Sequence, residues 1–134
     1  MTLEWRGPEV LQAVAQAAFR GVVRGTESVK TRMVERIQQP PKTGRIYKRN
    51  TVEHQASAPG ESPASDTGRL AQSVTTSYDP SRIAGYVNVS TEYAAALEFG
   101  TPRIAPRPYA RVSLAEKAKE IQDDIAREIA GALK

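Results

Sequence analysis

The sequence predicts an α+β fold: a long N-terminal helix and a C-terminal helix packed on a small, mainly antiparallel β-sheet. Three observations carry that expectation. Leu11, Val14, Ala18, Val22, Val29, Met33 and Ile37 recur at steps of three or four apart from one gap, the period of one helix face. Leu114, Ala118, Ile121, Ile125, Ile129 and Ala132 repeat the pattern towards the end of the chain. Between them, residues 73–78 and 82–89 are rich in β-branched and aromatic side chains and flank Asp79-Pro80-Ser81, a turn signal. They predict an antiparallel hairpin whose register the alternation leaves open.

The first helix begins at Pro8, which suits the first helical position after Gly7, and stops before Pro40-Pro41. Unbroken, it would run about 45 Å. Gly21 and Gly25 mark either a close approach of another backbone or a bend. Residues 45–49 predict a short strand. Residues 50–68 are rich in Ser, Ala, Pro and Gly without periodicity, which reads as a mobile arm that orders on a partner or as a plain disordered insertion. Asp66 is placed to cap a short turn or helix at Arg69 and Leu70.

After the hairpin, Ser90 or Thr91 caps a helix over residues 92–99, and Gly100 closes it with a left-handed residue. Pro102, Pro106 and Pro108 then hold φ at about −65° and push each preceding residue out of the α region. Residues 101–108 are therefore expected to be an extended, stiff strap presenting Arg103, Ile104, Arg107 and Tyr109 outward; a plain connector between helices is the other reading. The last helix starts at Pro108 or at Ser113, where Ser113 and Glu116 have capping-box spacing. Its polar face carries Glu116, Lys117, Glu120, Asp124, Arg127 and Glu128.

One domain fits 134 residues. Leu, Ile, Val and Phe supply only 26 of those residues, so the core must be lean, and a lean core is often completed by a neighbouring subunit. There is no cysteine, which excludes disulfides and thiolate chemistry. No run approaches the roughly 18 apolar residues of a membrane span, so a soluble protein made in a cytoplasm is expected. Residues 1–50 hold ten Lys/Arg against four Asp/Glu. That surplus could follow a polyanion or solubilise a helix face.

Catalysis finds little support. His54 is the only histidine and lies in the arm with Glu61 and Asp66, where the backbone is least suited to holding catalytic geometry. No phosphate-cradling loop or metal-ligand spacing is present, and no cofactor is expected. Arg45, Tyr47, Lys48 and Arg49 interleave an aromatic with cations, and Arg20, Arg24, Lys30, Arg32 and Arg36 decorate the first helix. These residues support a rival function, non-specific binding of double-stranded DNA through the basic N-terminal third. Glu98 sits at the unfavourable, negative end of its helix, and Arg103 or Arg107 is its expected partner, within the chain or across a subunit boundary.

Four blocks occur in a telling order: Lys42-Thr43-Gly44-Arg45-Ile46-Tyr47; Ala56-Ser57-Ala58-Pro59-Gly60-Glu61-Ser62-Pro63-Ala64; Asp66-Thr67-Gly68-Arg69-Leu70; and Phe99-Gly100-Thr101 leading to Arg107-Pro108-Tyr109. In this order the chain resembles the head–tail joining (tail-completion) proteins of long-tailed bacteriophages, minor tail components of the virion neck. The resemblance implies a structural protein that assembles in the host cytoplasm, as a ring of identical subunits, six in the virion, from copies that can be monomers alone. The ring would lie between the capsid connector or head-closure protein and the tail-terminator or tail-tube protein, with weak DNA contact at its channel and no membrane. It further implies docking through the arm and the strap. Glu98, Phe99, Thr101, Arg103, Ile104, Arg107, Tyr109, Pro59, Glu61 and Pro63 would lie at subunit or partner interfaces.

Overall fold

A computed structural model describes residues 4–38, 42, 44, 46–49, 52–57, 61, 63, 68–103 and 105–134, the backbone alone for 47–49 and 52–54. Helix α1 spans Gly7–Gln38, 32 residues or about 48 Å. Its first turn carries Glu9 and its last Arg36, each of the sign that opposes the helix dipole there. Lys42 closes the far end by donating from Nζ to the Arg36 carbonyl at 2.8 Å. Burial pushes the Lys42 ammonium down from its usual value, against the pull of Glu61.

Two separate antiparallel hairpins follow, β1 (Ile46–Arg49) with β2 (Val52–Gln55) and β3 (Val74–Asp79) with β4 (Ala84–Val89). The α+β class is as expected. Strand β2 lies inside the stretch that sequence patterning left without regular structure; Ile46 pairs with Gln55 and Arg49 with Val52. The register open in the sequence is Val74 opposite Val89 and Asp79 opposite Ala84. At the turn, the Asp79 carboxylate accepts from the Ser81 amide at 3.1 Å and its hydroxyl at 2.6 Å, a local alternative to ladder bonding that suits a turn.

Three helices complete the chain: α2 (Arg69–Gln72), α3 (Ala94–Phe99) and α4 (Ala110–Ala132). Helix α2 is preceded by Gly68 at φ 80° and has no side-chain cap; Asp66, expected there, lies outside the described residues. Neither Ser90 nor Thr91 caps α3 by its side chain, but Gly100 ends it at φ 77° with its amide on Ala96 O at 2.8 Å. Ser113 does not begin α4. It is buried one turn inside, where its hydroxyl donates to Tyr109 O at 2.5 Å.

Helix α1 is the axis of the molecule, with α4 antiparallel along one side and the β3–β4 hairpin on another. Gly21 and Gly25 settle as points of close approach. A Cβ on Gly21 would stand 2.8 Å from Ile125 Cα, and one on Gly25 2.9 Å from Ile121 Cγ1. On the sheet side Gly85 has the same role, since a Cβ there would fall 2.0 Å from Thr26 Oγ1. Glu27 accepts from Thr76 Oγ1 at 2.8 Å and Tyr78 Oη at 2.5 Å, and those bonds hold its carboxyl below the usual range. Phe19 meets Tyr78 edge to face at 6.3 Å. The core is small: Val29, Met33 and Ile37 of α1 close on Leu70, Ala71, Val74, Ala94 and Tyr109.

The basic face of α1 is spent largely within the chain. Arg20 and Arg24 reach Glu128 at 3.1 and 3.0 Å, and Arg32 reaches Glu116 at 3.0 Å, where Arg36 joins it. These contacts tie both ends of α4 to α1, though exposed pairs of this kind add little stability each.

Candidate assembly surface

Glu98, at the end of α3, is the best-anchored polar group near the strap. Its side chain turns away from its own helix and caps the first turn of α4. Tyr109 N donates to Oε2 at 2.8 Å, Ala110 N to Oε2 at 2.9 Å and Arg111 N to Oε1 at 2.8 Å. Arg111 adds its Nε to Oε1 at 3.0 Å and its Nη2 to the Glu98 carbonyl at 3.0 Å. A carboxylate at a helix N-terminus opposes the dipole and satisfies amides that have no intrahelical partner. Glu98 is only 4% exposed. Burial pushes its carboxyl up, but the three amides and Arg111 outweigh that and hold it below the ordinary range.

This geometry corrects the expected partner: Glu98 pairs with Arg111, not with Arg103 or Arg107, and does so inside one chain. Tyr109 needs correcting as well. It is 2% exposed, its hydroxyl donates to Ala94 O at 3.3 Å, and burial pushes its pKa up to about 12, with the Glu98 charge adding to the effect. The end of the strap is thus pinned under α3 instead of turned outward.

Arg107 is half-buried. Its amide donates to Leu97 O at 2.6 Å, its Nε to Ser57 O at 3.3 Å and its Nη1 to Ala105 O at 3.4 Å. It binds the strap to the arm. Ser57 is buried there and Pro63 is fully buried, so Pro63, expected on a docking face, belongs to the subunit's own interior. Glu61 is half-buried near Lys42.

Between the two anchors the strap is open. Thr101, Pro102, Arg103, Ala105 and Pro106 are exposed, and Thr101 Oγ1 accepts from the Arg103 amide at 3.2 Å, shaping the turn. Phe99 is 63% exposed, its ring stacked under the Arg111 guanidinium at 4.8 Å. Phe99, Thr101 and Arg103 therefore form one accessible ridge, while Glu98, Arg107 and Tyr109 hold it in shape. Pro59, Ile104 and Arg45 lie outside the described residues. Tyr47, Lys48 and Arg49 are on β1, described there in backbone only.

The residue that sequence reasoning missed is Arg111. Its only signal was its place in the first turn of α4, where a cation meets the positive end of the dipole and so wants a carboxylate. Among the described residues no group of three His, Asp or Glu side chains is placed to hold a metal ion, and no helix is long and apolar enough to cross a membrane. No protein-family model, curated protein or solved structure matches this chain.

Proposed function

We propose that the protein is a structural component of a bacteriophage neck, joining the capsid connector to the tail by ring assembly and docking, with no bond-making chemistry of its own. The observation that carries this reading is the strap. Its ends are clamped by Glu98, Arg107 and Tyr109, while Phe99, Thr101 and Arg103 stand in solvent. A loop held rigid yet exposed loses little entropy on binding, which suits a docking element. The order of the Phe99-Gly100-Thr101 and Arg107-Pro108-Tyr109 blocks, with the upstream Gly/Pro-rich blocks, supports the neck assignment by resemblance.

The internal pairing of Arg20, Arg24, Arg32 and Arg36 with Glu116 and Glu128 counts against the rival, DNA binding as the main role. A joining assay tests the proposal. Purified chain added to capsids and tails of the source phage that lack it restores joined particles, and a folded Phe99→Asp/Arg103→Glu variant does not. Equal joining by that variant, or none by the wild type, removes the reading.

A further inference from the structure

With Glu98 taken by Arg111, Arg103 is left over. Most exposed charges of this chain are answered within it: Arg6 by Glu4, Arg82 by Asp79, Lys117 by Glu120, Lys119 by Asp123 and Arg127 by Asp124. Glu9 opposes the dipole of α1, and Lys30 acts on Glu27. The Arg103 side chain is exposed and has neither an ion pair nor a hydrogen bond among the described residues, although its amide is held by Thr101 Oγ1 at 3.2 Å. Glu92 is its counterpart. It is exposed just before α3, and it too has neither an ion pair nor a hydrogen bond among the described residues.

Each of these charges sits beside an exposed ring. Phe99, on the ridge with Arg103, is 63% exposed even with Arg111 over one face. Tyr93, next to Glu92, is 41% exposed. The two groups lie at opposite ends of α3, separated by its six residues, about 9 Å of helix. One chain therefore presents both halves of a complementary pair, cation with ring and carboxylate with ring, and the fold cancels neither charge.

We infer that the strap ridge of one copy meets the start of α3 in the next, with Arg103 on Glu92 and Phe99 packed on Tyr93. The two surfaces differ, so the contact is heterologous, and such contacts close into rings when the rotation permits. The ridge is held by Glu98, Arg107 and Tyr109 before it binds, so little order is lost in forming the pair. An exposed ion pair is weak by itself. The pair therefore decides which surfaces meet more than how tightly they hold. The inference rests on the neck reading in taking ring assembly as the use of the strap, and it names the subunit contact; its test is separate from the joining assay.

Mixing two charge variants tests it. Arg103→Glu makes both ends of α3 acidic and Glu92→Arg makes both basic, so neither variant pairs with itself. In an equimolar mixture every copy meets the opposite sign at both ends, and the two variants alternate. Sedimentation of the wild type at concentrations up to about 1 mM, which reach a weak contact, shows self-association. Either variant alone lowers it by at least about ten-fold, as like charges in contact do, and the mixture restores it. Arg103→Gln and Glu92→Gln, which lose the attraction without gaining repulsion, weaken association less, and mixing them restores nothing. Wild type that stays monomeric throughout, single variants that associate like wild type, or a mixture no better than its components overturns the inference. Wild type that stays monomeric while Arg103→Glu still fails in particle joining assigns the ridge to a foreign acidic surface instead. Wild-type joining without self-association removes this contact alone; association restored by mixing, without joining, leaves the contact and removes the neck role.

Discussion

Glu98 and Arg111 clasp each other across the strap, Arg111 Nε to Glu98 Oε1 at 3.0 Å and Arg111 Nη2 to the Glu98 carbonyl at 3.0 Å, while the same carboxylate caps the helix that begins at Ala110. One side chain therefore sets the distance between α3 and α4, and with it the form of the loop between them. Replacing it with an isosteric amide removes the charge and half of the acceptor capacity while buried amides still need partners. Glu98→Gln is expected to lower stability by about 3 kcal/mol and Tm by roughly 10 °C, read by thermal unfolding. An unchanged Tm would mean that the clasp does not hold the strap.

Acid should expose the same group. The folded-state pKa of Glu98 lies below its ordinary value of 4.5, so the unfolded chain binds more protons in that window. The stability it contributes is complete above the ordinary value and is lost as pH falls through the folded value. Stability measured by denaturant titration should fall on acidification below about pH 5, and less steeply in Glu98→Gln. The slope persists in part, because Glu27, Glu116, Glu128 and Asp79 are also shifted down.

At the alkaline end the sign reverses. Tyr109 is raised from 10.0 to about 12, so its contribution is whole below the unfolded value and is lost as pH rises through the folded one. Tyr109→Phe should cost about 1 kcal/mol at neutral pH through the lost bond to Ala94 O. Its stability should then decline less than that of the wild type between pH 10.0 and about 12. Parallel declines would contradict the burial of that hydroxyl.

Close approach at Gly85 makes a paired prediction. Gly85→Ala sets a methyl 2.0 Å from Thr26 Oγ1 and 3.1 Å from Thr26 Cβ. It should destabilise by about 2 kcal/mol, and adding Thr26→Ala should recover at least half. Additive losses in the double variant would show that the two residues do not meet.

The ion pairs between α1 and α4 predict behaviour toward nucleic acid. Wild-type protein should bind duplex DNA weakly, because its helix arginines face Glu116 and Glu128. Glu116→Gln/Glu128→Gln should bind more tightly and with a steeper salt dependence. Tight, steeply salt-dependent binding by the wild type would favour the rival function.

Much of the architecture was legible because it rests on local periodicity. The three- and four-residue steps located α1 and α4, β-branched runs around Asp79-Pro80-Ser81 located the second hairpin, and Gly100 marked the end of α3. What the sequence hid is tertiary. Helix capping was sought at Ser113, the nearest local signal, whereas Glu98 does it from across a twelve-residue gap. Tyr109, between prolines and cations, carries no mark of burial until α3 folds over it. The choice between a bend and a contact at Gly21 and Gly25 depended on where Ile121 and Ile125 would lie. Strand β2 is Val-Glu-His-Gln, whose pairing uses backbone groups and leaves little hydrophobic pattern to read.

The mass of the purified chain, alone and mixed with the tail-side protein that the proposed neck role calls for, tests the central claim most directly. Ring assembly through the strap predicts complexes in which several copies of the 14.6 kDa chain accompany that protein. These should shrink to single copies when Phe99→Asp and Arg103→Glu are introduced together. Single copies throughout, with and without the partner, would contradict it.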